Sequence, residues 1–80
     1  GFRTDEARRR LSMAEKSVEK ADENVRFANE AFDAGLIGST DLMEAQTAWL
    51  MANSEKIDSK IEVKMCELYL KKAIGESLVK

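Results

Sequence analysis

Phe32-Asp-Ala-Gly-Leu-Ile-Gly-Ser-Thr-Asp-Leu-Met-Glu-Ala-Gln46 is the stretch that decides how this chain folds. It holds two of the four glycines, and long amphipathic periodicity runs up to it on one side and away from it on the other, so the chain reverses here. Gly35 follows the last periodic apolar residue, Phe32, by about one turn, where a left-handed residue can collect the free carbonyls of an ending helix. Gly38 gives the loop a second position with no steric bar to positive φ. Ser39, Thr40 and Asp41 come next, and each is able to accept a bond from the orphan amides of a starting helix. With Asp41 as cap, Glu44 completes a capping box; with Ser39 or Thr40 as cap, Asp41 lies in the first turn, where the helix dipole favours a carboxylate. Either arrangement starts a second helix.

Working outward toward the N-terminus, Thr4-Asp5-Glu6 reads as the start of helix one. Its apolar positions then fall at Ala7, Leu11, Ala14, Val18, Ala21, Val25, Ala28 and Phe32, spaced alternately by four and three. This is a heptad seam in which one position is large and the other is alanine. Beyond the turn the scheme repeats through Leu42, Ala45, Trp49, Ala52, Lys56, Ser59, Val63, Cys66, Leu70 and Ala73, with Lys56 the polar intruder. Large and small residues of two antiparallel helices fit one another's ridges closely. The fold class is therefore all-α: a long two-helix coiled-coil hairpin, helices at about 4–34 and 40–74, turn at 35–40, in a single domain spanning 1–80. Helices of this length predict a rod on the order of 50 Å.

Composition bounds the rest. Eighty residues without proline, with 35% charged and 6% aromatic residues, suit long helices better than a sheet. A formal net charge of -2 gives no electrostatic case for nucleic acid, and Arg8-Arg9-Arg10 reads as a solvated helix face. No apolar run is long enough to cross a bilayer as a helix. The lone Cys66 falls on the small-residue side of the seam and reads as packing. Gly1 has the look of a cloning remnant, and the expectation is a piece excised from a longer protein.

A second feature exceeds what one hairpin requires. Helix two carries Met43, Leu50, Ile57, Ile61 and Leu68 away from the seam, and helix one carries Met13, Phe27 and Ala31. Two readings stand: these residues broaden the hairpin's own contact, or they form a second interface with something else.

The residues of the turn and of helix two resemble a known family. Ala34-Gly35-Leu36, then Asp41-Leu42-Met43-Glu44-Ala45-Gln46, then Leu70 with Ala73-Ile74-Gly75, is similar to the outer-membrane efflux proteins, the TolC-like channels. The match covers Phe32 to Gly75 well and helix one as generic coiled coil. The resemblance implies a homotrimer in the outer membrane of a Gram-negative bacterium, whose hairpins pack side by side into a hollow α-barrel in the periplasm. This chain would be the hairpin of one repeat, closer to the second than the first. Its tip would dock the membrane-fusion adaptor through Ala34, Gly35 and Leu36, with Ser39 beside them, and would serve an inner-membrane pump through that adaptor. Asp41 and Glu44 match acidic residues that ring the pore entrance; the other reading, which the sequence favours, is helix capping with no pore role. Ile37 is apolar where some members carry a basic latch, so no charge latch is carried over. The surplus stripe, Met43, Leu50, Ile57, Ile61 and Leu68, would contact the neighbouring hairpin.

No catalytic residues, cofactor or metal site are expected. The chain has no histidine, and a hairpin with one seam has no concave pocket in which to desolvate an acid-base pair. The alternative to a channel component is an autonomous hairpin that self-associates into a four-helix bundle. Trp49 sits mid-helix and not in the turn, which separates this chain from small secreted hairpins built on a Trp-x-Gly turn.

Overall fold

The computed structural model describes the backbone of residues 2–78 and the side chains of residues 3–75. It contains two helices, α1 (Phe2–Asp33) and α2 (Ser39–Leu78), which lie antiparallel along a rod of 69 × 14 × 12 Å. The all-α hairpin read from the periodicity is the fold found. The rod is longer than the expected 50 Å because both helices run past their sequence signals. α1 begins at Phe2, so Thr4 is not a cap: it is buried at the open end of the seam beside Ala7. α2 continues through Gly75 to Leu78.

The turn is built from identifiable bonds. The amide of Leu36 donates to the Ala31 carbonyl at 2.8 Å and that of Gly35 to the Phe32 carbonyl at 3.0 Å. This crossed pair is a Schellman motif, with Gly35 in its left-handed position at φ 76°. The start of α2 differs from the expectation. The amide of Leu42 donates to the Gly38 carbonyl at 3.3 Å, which makes Gly38 the N-cap and puts Ser39, Thr40 and Asp41 in the first turn. Ile37 and Leu42, both half-buried, then occupy the two positions of a hydrophobic staple. Of the alternatives read from sequence, Asp41 therefore takes the first-turn role, beside the positive end of the helix dipole.

Between the helices the seam is made of small side chains. Ala7, Ala14, Val18, Ala21 and Ala28 of α1 are buried, as are Ala52 and Val63 of α2. The larger seam residues Leu11, Val25, Leu42, Lys56 and Cys66 are half-buried. Near the turn the contact rotates. Ala31, expected off the seam, is 5% exposed, whereas Phe32, expected on it, is 41% exposed.

Polar ties fix the antiparallel register. The Trp49 indole N–H donates to Asp22, and toward the open end Arg10 Nε donates to Glu62 at 2.8 Å and Arg8 to Glu67 at 3.2 Å. The hydrogen bond to Glu62 raises the already basic Arg10 guanidinium above its ordinary value. These pairs are exposed, so they serve register more than stability.

The two turn glycines predict opposite responses to one substitution. Gly35→Ser forces an L-residue into the left-handed region and should cost about 1 kcal/mol or more. Gly38→Ser supplies a better N-cap at a position without positive φ and should be neutral or stabilising by about a few tenths of a kcal/mol. Urea midpoints of the two variants against the parent chain check both signs.

Candidate functional site

Two surfaces stand out, the tip and the outward face of α2. At the tip, Ala34, Gly35, Leu36 and Ser39 are all exposed, and Leu36 is 78% exposed. In a Schellman motif the residue at the Leu36 position usually packs back on the last helical turn. Here that position in the turn is Ala31, too short to cover an isobutyl group. An apolar side chain therefore projects from the tip beside backbone that carries no Cβ at Gly35, around whose would-be Cβ nothing lies within 4 Å. This end offers a second helix tip both close backbone approach and an apolar anchor.

Just behind the tip, Asp41 and Glu44 are exposed three residues apart, which puts them on neighbouring positions of the helix surface. Among the described residues neither takes part in an ion pair, so both charges face solvent.

The outward face of α2 lies opposite the seam. Met43, Leu50, Ile57, Ile61 and Leu68 are separated by steps of seven or four, which hold them on one line, and they are 52 to 63% exposed. The hairpin does not cover them. Of the two readings left open by the sequence, broadening of the hairpin contact is removed for this stripe: the contact stays narrow because its alanines bring the helices close. Met13 and Phe27 of α1 are likewise exposed, and Ala31 has joined the seam.

The structure adds residues that the stripe alone did not single out. Met51 and Met65 flank it at 62% exposure each. An open surface groove of about 470 Å³ is lined by Thr40, Met43, Glu44, Thr47, Ala48 and Met51, and so carries the apolar face toward the tip. A second groove of about 380 Å³ runs between the helices past Arg10, Met13, Ser17, Glu55, Asp58 and Ser59. The sequence held a signal for Met51 and Met65, a fourteen-residue spacing, which the stronger stripe beside it obscured. Among the described residues no cluster of carboxylates or cysteine has the arrangement of a metal site, and no helix is long and apolar enough to cross a membrane.

The hairpin thus keeps small residues inside and large apolar residues outside, with a left-handed glycine at its tip. Residues 1–76 match the family model described as outer membrane efflux protein, and the chain belongs to that family. Membership carries transport through an outer-membrane channel, not catalysis, as the class of activity. No curated protein and no solved structure matches the chain.

The exposure of the tip separates stability from binding. Leu36→Ala should change the unfolding free energy by no more than about 0.5 kcal/mol, because the side chain is already in water. Val18→Ala, which removes two buried methyl groups, should cost about 1.5 kcal/mol. Chemical denaturation of both variants checks the contrast.

Proposed function

We propose that this hairpin forms part of the wall and the periplasmic tip of an outer-membrane efflux duct in a Gram-negative bacterium, and that its tip docks a membrane-fusion adaptor. The observation that carries the reading is the inverted placement of side chains: α2 keeps its large apolar residues on the face away from α1, where a neighbouring hairpin of a closed α-barrel would bury them. In this reading three protomers close the barrel, and the stripe from Met43 to Leu68 is the lateral contact. The pump in the inner membrane is reached only through the adaptor, and no covalent chemistry is involved.

At the tip, Leu36 is the anchor and Ala34, Gly35 and Ser39 form the low-profile platform around it. The adaptor's own helical tip would seat Leu36 in an apolar pocket and cross the chain at Gly35, where no side chain intervenes. Asp41 and Glu44, repeated around a three-fold axis, would concentrate negative potential at the duct entrance and favour cations there.

The test uses the channel protein that contains this hairpin, assembled with its adaptor. Leu36→Glu places a charge on the docking platform without touching the seam. Trimer yield should be unchanged, while site-specific cross-linking to the adaptor and efflux of a fluorescent substrate both fall to background. Undiminished cross-linking would remove Leu36 from the interface and with it this account of docking.

A further inference from the structure

The groove of about 380 Å³ between the helices at mid-rod is used by neither the seam, the stripe nor the tip. It is open because Ala14, Ser17 and Ser59 are too small to fill it. Two of its residues repeat a pair already described: Asp41 and Glu44, behind the tip, are followed fourteen residues on by Glu55 and Asp58. Fourteen residues are two heptads, so the second pair takes the same heptad positions as the first, about 21 Å farther along α2. Both carboxylates are exposed, and among the described residues neither takes part in an ion pair.

The surroundings of this second pair are those of a binding groove. Ala14, buried in the seam, forms the floor, and the exposed Met13 lines one wall. Ser17 and Ser59 add one hydroxyl from each helix. Arg10, the basic residue of the lining, is already engaged: its Nε donates to Glu62 at 2.8 Å, and a further guanidinium nitrogen lies 3.9 Å from Glu6. The uncompensated charge of the groove is therefore that of Glu55 and Asp58.

We propose that the groove binds an amphipathic organic cation, with its ammonium group at Glu55 and Asp58 and its apolar body against Met13 and Ala14. The lining selects this class. A metal ion lacks a set of ligands, since no group of three or more suitable side chains occurs among the described residues. An anion meets two like charges, and a neutral apolar molecule would crowd water from both carboxylates without replacing it. The flexible thioether side chain of Met13 adapts to apolar bodies of different shape. Met51 lies seven residues from Glu44 and seven from Asp58, so an apolar surface joins the two acidic stations along one face of α2.

Placing the groove on the inner wall of the duct rests on the reading of Asp41 and Glu44 at its entrance, because residues at equal heptad positions face the same way. Binding and placement are therefore tested apart. Binding is measured on the 80-residue chain by NMR titration with benzyltrimethylammonium and, as the oppositely charged control, benzenesulfonate. The cation should shift the Met13 methyl and Ser59 amide signals saturably, the sulfonate should not, and Leu36 should stay in place. Glu55→Gln with Asp58→Asn should weaken the cation on the order of fivefold or more, with helicity unchanged in circular dichroism. Asp41→Asn with Glu44→Gln should leave it within about twofold, because that pair lies about two screening lengths away at 0.1 M salt. A cation that shifts Met13 no more than the sulfonate does, or that binds the Glu55→Gln, Asp58→Asn variant as tightly as the parent, overturns the proposal.

Placement is read in the channel protein that contains this hairpin, carrying Ser17→Cys in a Cys66→Ala background. Labelling with a trimethylammonium methanethiosulfonate should lower the cation-over-anion selectivity of single channels in a planar bilayer. Unchanged selectivity after complete labelling puts the groove on the outer face of the wall and overturns its assignment to the duct, whatever the titration shows.

Discussion

The rest of the structure depends on the alanine-lined contact between α1 and α2. Small side chains let two helices approach closely, and close approach leaves no room between them for large ones. The buried set is accordingly Ala7, Ala14, Ala21, Ala28, Ala31 and Ala52, with Val18 and Val63 the largest members. A seam of this kind aligns two rods accurately but removes little apolar surface from water, and burial of that surface is the main driving force available to so small a chain. The interior therefore supplies geometry, and much of the remaining burial has to come from outside the hairpin.

That requirement explains the asymmetry of the two helices. The outward positions of α1 include Asp5, Arg9, Ser12, Lys16, Glu23 and Glu30, with Phe27 as the apolar exception. Those of α2 carry the stripe from Met43 to Leu68. Two apolar faces on opposite sides of α2, against one on α1, leave α2 with the larger uncovered apolar surface. Copies of this hairpin joined α1 to α2 would set a charged face against an apolar one, so a closed ring of hairpins requires a second kind of neighbour on that side.

Much of this was legible in the sequence, and the reasons are local. Gly35 announced the reversal because a left-handed residue has few alternatives, and the four-three spacing announced the seam because alanine at every second position is rare by accident. The N-cap of α2 was not legible: three good capping residues follow Gly38, yet the Gly38 carbonyl takes the first helical bond, with the half-buried Ile37 and Leu42 at the two staple positions around it. The exchange of Ala31 for Phe32 was hidden for a similar reason, since periodicity assumes straight helices and the Schellman turn draws the last residues of α1 inward. Ala34, Gly35, Leu36 and Ser39 were recognisable as a tip, but that Leu36 stands free follows from the shortness of Ala31 opposite it.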